Sequence, residues 1–285
     1  MSIELKSVSY TYAEKTPYCV KALDDISITF DKGEFIGIMG RTGCGKSTLI
    51  QIIDGLLAPD CGEVLLDGEN INSKRYNRRI LREKVGVLFQ FPDYQLFETT
   101  VERDVAFSLK HSGLSKNEIQ SRVSEALNAV GFDYYSVKDK SPLSFSGGEK
   151  RRIAIAGVLA ARPEYLILDE PVAGLDPMGR TEFLKLLKRL NRGGTAIIMI
   201  SHNTDVLAEC ASRIVLIDNG RVIHDGRADE ILSDSQLLES SGLHSGQVCS
   251  IARRLRENSV DISDKVIKYN QLLDEILRVC GGNGI

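Results

Sequence analysis

Within nine positions the chain places Gly40, Arg41, Thr42, Gly43, Cys44, Gly45, Lys46, Ser47 and Thr48, three glycines and a lysine among hydroxyl residues. Gly40, Gly45, Lys46 and Ser47 satisfy the spacing G-x-x-x-x-G-K-[ST]. The chemistry is phosphate binding. Glycines let successive backbone N–H groups turn toward one polyphosphate, and the dipole of a following helix adds to them. Lys46 can reach the outer phosphates, and Ser47 can offer its hydroxyl to Mg²⁺. Thr42, Gly43, Cys44 and Thr48 belong to the same loop. At average residue usage only about one chain of this size in a hundred matches by chance. The plainer alternative, a glycine turn before a helix, loses ground because an apolar strand precedes the loop and an amphipathic helix follows it.

A cradle alone hydrolyses nothing. Tyr165-Leu166-Ile167-Leu168 is an apolar run ending in Asp169 and Glu170, and strand ends are where open α/β sheets meet ligands. Asp169 can hold Mg²⁺ through its waters, and Glu170 can take a proton from an attacking water. By itself the pair would read as a strand with a solvated end. His202, after Ile200-Ser201, ends another apolar strand, where it can hydrogen-bond a γ-phosphate. Gln90, after Gly86-Val87-Leu88-Phe89, ends a third, where its amide can sense Mg²⁺ and the water.

Ser146-Gly147-Gly148-Glu149 opens an alanine-rich stretch. Ser146 and Glu149 have capping-box spacing, which explains a helix start without any function. Two glycines at a helix N-terminus also expose N–H groups, a second anion site about a hundred residues from the first. Two half-sites on one chain imply two chains closing around shared nucleotides.

These residues need a scaffold. Strand patterns at 26–30 and 34–39 lead into the cradle, and residues 46–57 recur at helical spacing. Residues 93–160 read as a helical subdomain, with Ile119, Val123, Ala126, Leu127 and Val130 on one helix face. Strand, helix and strand then alternate through 165–168, 183–190 and 196–200, the pattern of a parallel sheet with crossover helices. A hairpin with an Asn219-Gly220 turn follows, and beyond about residue 240 a polar, helical appendage is expected.

With 285 residues, 42% apolar and 26% charged, the composition is ordinary for a globular chain. A net charge of −3 gives no footprint for nucleic acid, and the basic run at residues 74–79 reads as a solvated linker. The first residues lack the layout of a signal peptide, and no apolar run has the length of a membrane span, so a cytoplasmic location is expected. Six scattered cysteines fit reduced thiols.

In order and spacing, residues 40–48, Gln90, residues 145–149, 166–170, Ala173-Gly174-Leu175-Asp176 and His202 resemble the ABC transporter ATPases over about residues 1–240. The resemblance implies an α/β fold: a P-loop NTPase (RecA-like) core with an antiparallel β subdomain and an α-helical subdomain, here with a small C-terminal helical extension at 241–285. It also implies a head-to-tail dimer with ATP between the cradle of one subunit and Ser146, Gly147 and Gly148 of the other. Asp176 then lies in the loop that links the two sites, and an aromatic near the N-terminus stacks on adenine; Tyr12 is favoured over Tyr10.

Thr42 in the loop, and Phe91-Pro92-Asp93-Tyr94-Gln95 after Gln90, look narrower still. They are similar to the second of the two ATPase types of energy-coupling-factor (ECF) importers for vitamins and transition-metal ions. That resemblance implies a second ABC ATPase subunit in a heterodimer, an integral membrane coupling subunit and a substrate-binding membrane subunit. It implies no nucleic acid, a peripheral position on the cytoplasmic face of the cell membrane, residues 91–97 near the coupling subunit, and an extension that helps hold the dimer. Other classes compatible with the motifs are another ABC importer ATPase, a soluble ABC protein and a nucleotide-binding regulator.

Two departures stand out. Phe145 and Glu149 replace the family's usual leucine and glutamine, and Val172 replaces a usual threonine. Glu149 keeps the cap but adds negative charge near a triphosphate, so the site using this segment is expected to be the weaker of an asymmetric pair. Cys44 stands where serine is commoner. It is either a thiol whose modification blocks ATP binding or an inert one.

Overall fold

The computed structural model describes residues 1–90, 95–110 and 112–282. Its strands are β1 (Ser2–Tyr12), β2 (Val20–Asp31), β3 (Phe35–Met39), β4 (Cys61–Leu66), β5 (Glu69–Asn70), β6 (Val85–Leu88), β7 (Tyr165–Asp169), β8 (Ala196–Ile200), β9 (Arg213–Asp218) and β10 (Arg221–Arg227). They form an antiparallel sheet of order β2-β1-β4-β5 and a larger sheet of order β10-β9-β3-β8-β7-β6. In the larger sheet β9, β3, β8, β7 and β6 run parallel, and β10 closes the edge as a hairpin. Asn219 (φ 45°) and Gly220 (φ 75°) make that hairpin's turn, the backbone that Asn-Gly pairs adopt most readily.

Strands β3, β7 and β8 are buried along their whole length, which is why they read as continuous apolar runs. Their side chains alternate between two cores. Met39, Leu166, Leu168, Ile197 and Met199 face one core, together with the helices Lys116–Ala129 and Gly147–Ala160. Ile36, Ile38, Ile167, Ile198 and Ile200 face the other, together with β1, β2 and the helix Lys46–Ile53. That helix buries Leu49, Ile50, Ile52 and Ile53, each contributing roughly 1.5–3 kcal/mol of apolar transfer. It ends at Ile53, four residues before the end of its apolar pattern at Leu57.

The helix Lys116–Ala129 starts in a Ser115–Glu118 capping box and buries Val123, Ala126 and Leu127. The basic run at 74–79 is exposed apart from half-buried Tyr76, as its charge implies, but its last two residues, Arg78 and Arg79, already belong to a helix. Asn77 caps a helix, Arg78–Lys84, in which Arg79 reaches both Glu83 (2.7 Å) and the Ser112 carbonyl (2.7 Å). A cap and one partner far along the chain thus order the end of a run that is otherwise solvated turn.

After β10 come the helices Ala228–Ser233 and Ser235–Ser240, then Gln247–Glu257 and Tyr269–Gly282. The last two enclose a small core of their own built from Ala252, Ile262, Val266 and Leu272. No helix among the described residues is long and apolar enough to cross a membrane.

Candidate active site

Strand register brings the sequence motifs together. Ile38 of β3 pairs with Ile200 of β8, and Ile200 pairs with Asp169 of β7. Because these strands are parallel, the residues just past the pairings (Gly40, Glu170, Ser201 and His202) emerge at one sheet end. Leu88 of β6 pairs with Leu168 of β7, so Gln90, which is exposed, lies beyond the same end.

The cradle is wedged between β2 and the β9–β10 turn. A Cβ at Gly45 would sit 2.4 Å from the Ala22 carbonyl oxygen, and one at Gly40 would sit 2.1 Å from that of Ile217. Gly45 also has φ 108°, so no other residue fits there without strain. The Gly220 N–H donates to the Cys44 carbonyl at 3.0 Å. The helix Lys46–Ile53 has no side-chain cap, which leaves its first N–H groups available to an anion. Thr42 and Gly43 form the exposed crest of the loop, and Thr48 is buried.

The Lys46 ammonium donates to the carbonyls of Gly40 (2.7 Å) and Arg41 (2.8 Å), which holds it across the loop. Ser47 Oγ donates to Asp169 Oδ2 at 3.3 Å. Burial raises the pKa of Asp169, with a further rise from Glu170; Ser47 and Lys46 pull it back. Two hard oxygen donors facing each other beside a lysine are a donor set that suits Mg²⁺. The Tyr12 hydroxyl shares a 3.2 Å hydrogen bond with Thr48 Oγ1 and donates to Gln51 Oε1 at 3.2 Å. Its ring thus stands beside the cradle, edge-on to Tyr10, with centroids 4.9 Å apart. Tyr10 packs on the core instead.

Glu170 is the most constrained residue of the site. It is a non-glycine residue with φ 48°, a conformation that persists only where its surroundings hold it. Its N–H donates to the Ile200 carbonyl at 3.0 Å. Its Oε1 accepts from the His202 N–H at 2.9 Å and lies 2.7 Å from His202 Nδ1. Ser201 Oγ, fully buried, donates to Oε2 at 3.4 Å. The Glu170 side chain is 11% exposed and that of His202 75%, so the imidazole bridges a buried carboxylate and the surface. Asp169 and Glu170 therefore do different work: one faces the cradle, the other the histidine.

Ser146, Gly147 and Gly148 lie apart from this cluster, on the surface. Glu149 Oε2 accepts from the Ser146 N–H (2.9 Å) and Oγ (2.7 Å), and the Glu149 N–H returns to Ser146 Oγ at 3.4 Å. Those hydrogen bonds from Ser146 lower the Glu149 pKa. The N–H groups of Gly147 and Gly148 stay outside this box. Asp176 is exposed and caps the helix Pro177–Arg192 through the Gly179 N–H at 2.6 Å.

Cys44 is buried, which points to the inert-thiol alternative, while its Sγ lies 3.5 Å from Lys46 Nζ, a neighbour that favours a thiolate, so the two observations pull opposite ways. The reading at residues 91–94 lies outside the described residues. Sequence reasoning passed over Ser201, whose hydroxyl steadies Glu170; its only signal was its place between an apolar strand and His202. It also passed over Arg151, which donates to the Ala173 carbonyl and ties the helix Gly147–Ala160 to the loop before Asp176.

The family profile described as ABC transporter matches residues 23–173. Over the whole chain there is similarity to proteins named energy-coupling factor transporter ATP-binding protein EcfA2. The one from Clostridium tetani is 44% identical, covering 98% of this chain and 97% of its own length. The one from Clostridioides difficile is 45% identical over the full length of both. Among solved structures, cbiO1 from Clostridium perfringens, part of the ABC transporter complex cbiONQ, superposes with a TM-score of 0.73 at 36% identity, covering 89% of this chain and 98% of that one. A dimeric ATP-binding cassette, MJ0796, in a post-hydrolysis state bound to ADP and Pi gives a TM-score of 0.71 at 29% identity, covering 79% of this chain and 98% of that one.

Proposed function

Since the chain belongs to the ABC transporter family, in its energy-coupling-factor branch of ATP-binding proteins, we propose that it is the ATPase of an importer for a vitamin or a transition-metal ion. It would act at the cytoplasmic membrane face as one half of a heterodimer. The observation that carries the catalytic reading is the Glu170–His202 pair, fixed at the same sheet end as Lys46.

In this reading ATP lies with its adenine on Tyr12 and its triphosphate in the loop of residues 40–48. Lys46 exchanges the carbonyls of Gly40 and Arg41 for outer phosphate oxygens. Ser47, Asp169 and Gln90 are the residues that would hold Mg²⁺, which when bound neutralises charge on the β- and γ-phosphates. Glu170 takes a proton from the attacking water as its oxygen bonds to the γ-phosphorus. The bond to the bridging β–γ oxygen breaks, and ADP leaves with that electron pair. His202, held by Glu170, contacts the γ-phosphate. Ser146, Gly147 and Gly148 from the partner subunit close the other side, with Asp176 between the two sites.

A groove of about 690 Å³ beyond β6 supports docking of the membrane coupling subunit. It is lined by Phe97 and Phe107, stacked edge to face at 4.7 Å and both exposed. Buried Asp104 accepts the N–H groups of Phe97 (2.9 Å) and Glu98 (2.7 Å) and so fixes the groove wall. On the helix Tyr269–Gly282, Tyr269, Leu273 and Leu277 form an exposed apolar row, which supports a dimerisation role for the extension.

Affinity capture from membranes tests the assembly. Recovery with an integral membrane subunit and a second, related ATPase is expected, whereas recovery with ribosomes or DNA would overturn it. Reconstituted in vesicles, the captured complex should take up a labelled vitamin or a cobalt or nickel ion in an ATP-dependent manner; uptake of none of them would refute the substrate class.

A further inference from the structure

Residues 241–247 lead from the core into the helices of the C-terminal extension, and they pass beside Arg41 of the cradle and the segment that follows His202. Ser241 and Leu243 are buried, Leu243 within the main core. Gly242 lies against Arg41 of the cradle: a Cβ there would meet Arg41 Nε at 2.8 Å. Thr204, two residues after His202 and itself buried, donates from Oγ1 to the His244 carbonyl at 2.6 Å.

The helix Gln247–Glu257 has glycine at its N-cap, Gly246, and so no local side-chain cap. Asp205 supplies one from the far side, Oδ2 accepting the Gln247 N–H at 3.1 Å. The approach is close, since a Cβ at Gly246 would be 2.4 Å from Asp205 Oδ1. The extension is therefore fastened to the four-residue segment His202-Asn203-Thr204-Asp205, whose first member holds Glu170.

We propose that Thr204 and Asp205 are positioning residues for ATP hydrolysis. They clamp the C-terminal extension to the segment carrying His202, so that a seated extension keeps the His202–Glu170 pair aligned. A small displacement of a reacting group is costly in rate, and this clamp opposes it. Pairing of extensions between subunits would thereby reach the catalytic centre. The inference rests on the roles given above to Glu170 and His202.

The test breaks the clamp from both ends in the assembled complex. Asp205→Ala removes the acceptor. Gln247→Pro removes the donor without touching the site; proline suits the first helical position, and Gly246, at φ −60° and ψ 159°, already has a backbone that tolerates a following proline.

Each variant is expected to lose about tenfold in kcat with KM for ATP held within about twofold, the pattern of lost transition-state alignment. The double variant should fall no further, since both remove one contact. Asp205→Asn, which keeps an acceptor oxygen, should restore most of the turnover.

Wild-type turnover in Gln247→Pro, or losses that multiply in the double variant, would overturn the proposal. Failure of the underlying site reading looks different: His202→Ala would then turn over ATP normally. If only the clamp fails, His202→Ala is inactive while Gln247→Pro is not.

Discussion

The cradle at residues 40–48 and the glycine segment at 146–148 are both helix N-termini with paired chemistry, yet they are built in opposite ways. The cradle is enclosed: Gly40 and Gly45 touch backbone from β9 and β2, and its helix has no side-chain cap. The second segment is open. A Cβ at Gly148 would meet nothing within 4 Å, and a local capping box satisfies the helix start. Gly40 and Gly45 of the first are required by this chain's own packing, whereas Gly148 of the second has no such reason inside the chain. In the proposed dimer that contrast has a reason: one half-site is complete against its own fold, and the other is a surface left for a partner.

The largest expected effect lies on the enclosed side. Glu170→Gln should lower hydrolysis by about a thousandfold, the scale of a lost general base, while ATP binding persists and the closed dimer accumulates. Phosphate release and size-exclusion chromatography with ATP would show both.

Next, the two glycines can be set against each other. Gly45→Ala should abolish ATP binding and destabilise the fold by about 1–3 kcal/mol through backbone strain. Gly148→Ala should leave thermal stability of the isolated chain unchanged and reduce turnover only in the assembled dimer. Equal destabilisation by both would break the contrast.

A smaller effect is expected from Ser146→Ala. Loss of that cap costs about 1 kcal/mol, a fall in melting temperature of about 2 °C for a chain of this length.

Smallest is Glu149→Gln, which keeps a capping side chain and removes a charge. Turnover of the assembled pair should rise by about twofold, and no gain would count against the weaker-site reading. Glu149 also gives the cap a pH dependence. Its pKa is lowered from 4.5 by hydrogen bonds from Ser146, so its contribution is present above pH 4.5 and lost as pH falls through the folded value. Acid melts of Glu149→Gln should lack that component.

Much of the fold was legible because its strands are buried on both faces and so announce themselves as apolar runs between glycine loops. The helix Lys116–Ala129 was legible from its single apolar face, and the Asn219-Gly220 turn from the positive φ that this pair adopts readily. In the basic run at residues 74–79 charge reported solvation, whereas the helix that starts at Arg78 was not legible, because Asn77, Glu83 and the distant Ser112 carbonyl decide it. Cys44 was ambiguous because burial of one thiol depends on what lies behind the loop.

Of the site, residue types and spacing alone were enough to name Lys46, Ser47, Asp169, Glu170 and His202, since phosphate and proton chemistry need few groups in a fixed order. Ser201, Asp205 and the strap at 241–247 had no such signature. Their importance is a matter of contact between segments about forty residues apart, such as Thr204 with His244.

The sequence by itself determined the cradle, the carboxylates and the capped second segment, because each is a local pattern of backbone freedom, charge and helix propensity. Only the tertiary structure decided that parallel register gathers Gly40, Glu170 and His202 at one sheet end. It alone decided, too, that Glu170 is bound to His202 rather than to the cradle, and that the extension is clamped beside them. Those are distances between strands and helices, and a one-dimensional pattern carries no distance across the fold.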